Sequence, residues 1–179
     1  GAKAPSVLQV KGAKDIAVEF HTFSKSYSMA GWRLGFAVGN RDILASLAKT
    51  KSYVDFGIFR AIQAAAIKAL LGPQDYVHQL VETYRKRRDV FVGGLQRVGW
   101  DMPMPKSTFY VWAGIPAKFS ALTSLEFATL MMQEAGVVMA PGTGFGEYGE
   151  GYVRFALVDS EARLKAAVTR IDRVLRMES

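Results

Sequence analysis

Cysteine is absent from the 179-residue sequence, and histidine occurs only twice, at His21 and His78. The first absence excludes disulfides, thiol catalysis and cysteine-ligated zinc, and it fits a cytoplasmic protein. Two histidines are too few for a multi-histidine metal centre, so no metal is expected. No apolar run reaches the roughly 18 residues of a transmembrane helix, and no membrane partner is expected. Gly1-Ala2-Lys3-Ala4-Pro5 lacks the apolar core and cleavage site of a signal peptide. Internal repeats and low-complexity stretches are also missing.

What is present suits a packed core: 50% of residues are hydrophobic and 12% aromatic, which excludes disorder. The length fits one domain, or one domain and part of a second. The formal net charge of +7 raises nucleic acid or an acidic protein as a partner. Yet the basic residues are spread along the chain. The single dense run, Arg85-Lys86-Arg87-Arg88, interrupts a helical apolar pattern of Val77, Leu80, Val81, Tyr84, Phe91, Leu95 and Val98. A solvated helix face explains that run better than a nucleic-acid patch, and a site for small anions also tolerates the surplus.

Ile16 to Phe23 reads as a strand buried on both faces of a parallel sheet, and Leu34 to Gly39 as a second. Asn40 is the expected N-cap of a helix with apolar stripe Ile43, Leu44 and Leu47. A second helix spans about Arg60 to Leu71 and stops at Gly72-Pro73; a long third runs from about Gln74 to Val98. After Gly99 come strands at Phe109–Ala113, Val137–Ala140 and Tyr152–Leu157. Thr123-Ser-Leu-Glu126 is a capping box for a helix ending near Gly136, and Ser160 caps the last helix, with stripe Leu164, Ala167, Val168, Ile171 and Leu175.

Gly144-Phe-Gly146-Glu-Tyr-Gly149 matches a dinucleotide fingerprint, but that mechanism requires a helix to start there, and a strand follows. It is expected to be a glycine-rich turn. Lys25 is more informative. It follows a strand directly, in a loop with hydroxyls at Thr22, Ser24, Tyr27 and Ser28, and Arg33 lies eight residues on. An amine shielded enough to lose its proton can form an imine, and hydroxyls with a guanidinium suit a phosphate. A solvated structural lysine is the alternative.

The segment Thr22-Phe-Ser-Lys25-Ser-Tyr-Ser-Met-Ala-Gly-Trp-Arg33-Leu-Gly35 resembles the pyridoxal-phosphate attachment signature of class I/II aminotransferases, with Thr22 where the general pattern has Ser or Gly. The resemblance continues through Gln63, Tyr84 to Asp89, Phe109-Tyr-Val-Trp112, Pro141 to Gly146 and Tyr152-Val-Arg154-Phe155. Within the class it is most similar to the bacterial glutamate–pyruvate (alanine) aminotransferase group, near the LL-diaminopimelate aminotransferases. Asp55 to Arg60 departs from the Ser-Asn-Pro-Pro run common elsewhere in the class, which fits that branch.

The resemblance implies an α/β fold: the C-terminal part of a fold-type I pyridoxal-phosphate-dependent transferase. Residues 1–55 would be the tail of the large parallel-sheet domain, 56–98 connecting helices and 99–179 the small α+β domain. It implies pyridoxal 5'-phosphate as cofactor. Lys25 would attach it and shuttle the proton between substrate Cα and cofactor. Arg33, with Thr22 and Ser24, would hold its phosphate, and Arg154 would hold the substrate α-carboxylate. The substrates would be a small amino acid, alanine first, and 2-oxoglutarate, in a homodimer. The family's residues that hold the pyridine nitrogen and ring hydroxyl precede the lysine strand, so the chain alone is expected to be inactive. The competing expectation is a non-enzymatic basic module binding nucleic acid or an acidic partner.

Overall fold

Residues 4–177 are described by a computed structural model and fall into two compact units, residues 4–80 and 81–177. In the first, the short helix α1 (Ala13–Ile16) leads into β1 (Val18–Thr22), which pairs antiparallel with β2 (Gly35–Gly39). Val18 stands opposite Gly39 and Thr22 opposite Gly35. Glycine is required at both ends of β2: a Cβ at Gly39 would lie 2.3 Å from the Ala17 carbonyl oxygen, and one at Gly35 2.5 Å from that of His21.

This pair corrects the expectation of buried parallel strands. A parallel partner needs a long crossover, usually a helix, whereas the connection 23–34 winds tightly about Phe23 and returns beside β1. Two strands alone also cannot bury two faces, and Phe20 stays 69% exposed.

Asn40 caps α2 (Arg41–Val54) as expected, its side-chain oxygen accepting from the amides of Asp42 and Ile43 at 2.9 Å. The stripe is not buried, however. Ile43 and Leu47 are exposed, because α2 has no buried residue in its unit. The helix α3 (Arg60–Leu71) ends at Gly72, as expected. Its Ala66 joins Phe23 and Leu34 in a small core flanked by Tyr27, Met29, Ile58, Ile62 and Ala69.

The long helix α4 (Asp75–Arg97) contains the division between the units. In the second unit, β3 (Tyr110–Gly114), β4 (Ala140–Pro141) and β5 (Tyr152–Ala156) form an antiparallel sheet in the order β3-β5-β4. The helices α5 (Ser124–Ala135) and α6 (Glu161–Arg176) complete it. Period-2 alternation sorts the sheet faces. Val111, Ala113, Val153 and Phe155 turn inward with Phe91, Leu95, Trp100, Phe127 and Ile171, while Tyr110, Trp112, Tyr152 and Arg154 share the other face.

The strand expected over Val137–Ala140 shrinks to two residues. Gly136 takes the left-handed conformation that closes α5, and the Val137 amide donates to the Met131 carbonyl 3.2 Å away. An amide spent on capping is lost to a ladder.

Candidate functional site

The first cluster sits at one end of the β1–β2 pair. The ladder is extended by the Phe23 amide, which donates to the Leu34 carbonyl at 3.2 Å. Thr22, Ser24 and Arg33 therefore occupy the same end of the hairpin. The Thr22 hydroxyl donates to the Ser24 hydroxyl at 2.9 Å, and the Ser24 amide donates to Thr22 Oγ1 at 3.1 Å. Both hydroxyls are thus held beside Lys25, which is exposed.

The loop is wound around Phe23. Its carbonyl accepts from the amides of Tyr27 and Met29 at 3.3 and 3.2 Å, and the Lys25 carbonyl accepts from the Ser28 amide at 3.2 Å. Phe23 itself is 2% exposed, so one apolar anchor fixes the backbone on either side of the lysine. The Tyr27 hydroxyl donates to Gln74 Oε1 at 3.0 Å, and the Ser28 and Tyr76 hydroxyls lie 2.9 Å apart.

Ser28 and Arg33 have φ of 53° and 52°. A non-glycine residue there costs about 1 kcal/mol, and such positions gather at functional sites. Arg33 is exposed, with one nitrogen donating to the Ala30 carbonyl at 2.7 Å.

Arg154 lies in the other unit, on β5 between Trp112 of β3 and Ala140 of β4. Its Cζ stands 4.2 Å from the ring centroid of Tyr110 and 4.2 Å from that of Phe145. The Arg154 Nε is buried without an acceptor among the described residues. A donor cut off from water and left unpaired costs about 1–3 kcal/mol. Sequence reasoning named Arg154 but missed Tyr110 and Phe145; the alternation of Tyr110 with Trp112 was the available signal.

The glycine fingerprint, Gly144 to Gly149, lies in two 3₁₀ turns, Gly142–Phe145 and Glu147–Gly149, that run into β5 with no helix after them, as expected. Below them Glu150 Oε1 accepts from the Ser124 amide at 2.7 Å, the Ser124 hydroxyl at 2.8 Å and the Gly151 amide at 2.9 Å. These donors, the Ser124 hydroxyl foremost, hold the Glu150 carboxyl below the usual carboxylate range.

The three arginines of the dense basic run are committed within their own unit. Arg85 binds Glu82 and Asp89, Arg87 donates to the Leu157 carbonyl, and Arg88 binds Asp89 and the Pro105 carbonyl. Among the described residues there is no cluster of potential metal ligands, and no helix long and apolar enough to cross a membrane.

Residues 1–171 match the family described as aminotransferase class I and II. Glutamate-pyruvate aminotransferase AlaC of Escherichia coli K12 is 51% identical over 178 residues, covering 99% of this chain and 43% of that protein. The LL-diaminopimelate aminotransferase of Moorella thermoacetica is 47% identical over 175 residues, covering 98% and 44%. Substrate-bound BacF from Bacillus subtilis superposes with a TM-score of 0.90 at 38% identity, over 98% of this chain and 44% of that one. An aminotransferase from Staphylococcus aureus gives 0.90 at 36%, over 97% and 45%. The chain thus spans under half the length of these relatives.

Proposed function

The chain belongs to the class I and II aminotransferase family, and from that premise we propose that it carries the lysine side of a pyridoxal-phosphate site in an enzyme that moves an amino group from alanine to 2-oxoglutarate. The family's enzymes depend on pyridoxal phosphate and share fold type I, and this α/β chain corresponds to their C-terminal part. One observation carries the proposal. Lys25, Arg33 on a strained backbone and two paired hydroxyls are all carried at one end of a hairpin whose loop is fixed around Phe23.

That donor set fits the cofactor. Lys25 would hold it at its aldehyde carbon; Thr22, Ser24 and Arg33 would hold its phosphate, as charge-assisted donors do best. When bound, pyridoxal phosphate supplies an electron sink for negative charge at the substrate Cα. Lys25 Nζ then serves as the base that takes the Cα proton and returns it. Arg154 would take the substrate α-carboxylate as a bidentate pair, the role the family resemblance implies for it.

In this reading residues 1–55 end the large domain, 56–98 connect, and 99–179 form the small domain. The complete protein works as a cytoplasmic homodimer. Alanine as donor is supported by the 51% identical Escherichia coli relative. The test is a donor panel on the complete protein carrying this sequence, with 2-oxoglutarate and added cofactor. Pyruvate formation from alanine, abolished by Lys25→Ala, is the expected result. Turnover of LL-diaminopimelate alone would replace the donor, and no turnover of any donor would remove the activity.

A further inference from the structure

We infer that Tyr110 and Phe145 are positioning residues for Arg154, gripping its guanidinium so that a ligand meets a preset donor edge. The inference rests on the carboxylate role proposed above for Arg154. Three segments distant in sequence converge here: Tyr110 on β3, Phe145 on the glycine turn and Arg154 on β5. Cζ lies over both rings at the same 4.2 Å. A guanidinium flanked by two rings loses most of its rotational freedom, and cation–π attraction strengthens where water is excluded, as the burial of Nε shows it to be. The cost of ordering Arg154 is then met before substrate arrives.

Phe145 is not held by a hydrophobic core, being 51% exposed. Its place comes from the turn beneath it. Gly142 and Gly149 pack backbone to backbone: a Cβ on either would fall 2.0 Å from the carbonyl oxygen of the other. Gly146, with φ of 120°, takes a conformation closed to other residues. The turn's base is fixed by Ser124 and Glu150, since the Gly151 amide donates to Ser124 Oγ at 3.0 Å. From the side, Trp112 meets Phe145 edge-on at 5.7 Å and stacks on Tyr152 at 5.6 Å. The glycine pattern that resembles a nucleotide fingerprint thus has another use. It presents one phenyl ring to one arginine.

The clamp is testable without turnover. Phenylglyoxal converts a guanidinium into a ring adduct with tetrahedral carbons, which needs space that two rings at van der Waals distance deny. Modification rates in this chain, resolved by peptide mass spectrometry, would use the solvent-exposed Arg163 as internal reference. Arg154 should react more slowly than Arg163, and Phe145→Ala should raise the Arg154 rate about tenfold relative to Arg163. Phe145→Tyr should keep it slow. Tyr110→Leu provides a second variant should Phe145→Ala unfold. Unchanged ratios in both variants would overturn the clamp. In the complete protein, Phe145→Ala should raise KM for the amino acid by a larger factor than it lowers kcat, with rescue by Phe145→Tyr. A changed dicarbonyl ratio with an inactive parent would leave the clamp standing and remove the aminotransferase reading; an active parent with unchanged ratios would do the reverse.

Discussion

At the scale of single residues, the site combines strain with satisfied hydrogen bonds. Arg33 keeps a left-handed backbone that glycine would adopt freely. Arg33→Gly should therefore change folding stability by no more than about 1 kcal/mol while weakening retention of pyridoxal phosphate more than tenfold. Denaturation and cofactor titration measure the two; a large loss of stability would show that Arg33 is structural. Ser124 is the buried hydroxyl that both donates to Glu150 and accepts from Gly151. Ser124→Ala should cost about 1 kcal/mol, the net worth of a hydrogen bond, because Glu150 keeps the Ser124 and Gly151 amides. Glu150 and Glu126 both have lowered pKa values, Glu150 through Ser124 and Glu126 through the Thr123 amide and hydroxyl. A depressed folded-state value means stabilisation that is full above the unfolded value of 4.5 and lost as pH falls through the lower folded one. Thermal melts should thus show acid destabilisation starting below about pH 4.5, and Glu150→Gln should flatten that slope. Unaltered acid sensitivity in Glu150→Gln would assign it to other groups.

At the scale of elements, the caps were legible and the pairings were not. Asn40, the Thr123–Glu126 box, Gly72 and Gly136 act on neighbours within a few residues, so local sequence contains the whole mechanism. The pairing of β1 with β2 depends on how residues 23–34 pack around Phe23, which no strand pattern records. The Lys25–Arg33 signature was readable because one loop carries it, whereas Tyr110 and Arg154 are brought together by the sheet register and Phe145 by the glycine turn. Tight helix contacts were equally hidden. A Cβ on Gly94 of α4 would lie 2.9 Å from a Val168 methyl of α6. Gly→Ala inside an exposed helix normally gains about 1 kcal/mol, but here overpacking should dominate, and Gly94→Ala should destabilise by about 1–3 kcal/mol. The double variant Gly94→Ala/Val168→Ala should recover most of that loss in denaturant melts. If Gly94→Ala is neutral, Val168 yields at little cost and the α4–α6 contact is soft.

At the scale of the whole molecule, the two units differ in how completely they bury apolar side chains. Residues 81–177 enclose Phe91, Trp100, Phe127, Met131, Val153 and Ile171, each at most 2% exposed. In residues 4–80 the core is Phe23, Leu34 and Ala66, while Ile16, Phe20, Val54, Phe56 and Leu71 face outward. Local opening is easiest where few apolar contacts hold the backbone. Amide hydrogen exchange should therefore be slower in β3, β5, α5 and α6 than in β1, β2 and α2. Faster exchange in the second unit would contradict that ranking. The same contrast bears on assembly, because exposed apolar patches of this kind mark interaction surfaces or aggregation hazards. The strand edges of a two-stranded sheet add unpaired backbone groups to them. In this chain the outward apolar side chains of residues 4–80 are therefore the surface expected to associate. The 179-residue chain should self-associate at tens of micromolar, in sedimentation velocity, as a dimer or as less regular species. Replacing Phe56 and Leu71 with Ser should reduce it without unfolding residues 81–177, since neither side chain belongs to a buried core. A monodisperse monomer at that concentration would show that this apolar face has no affinity for itself.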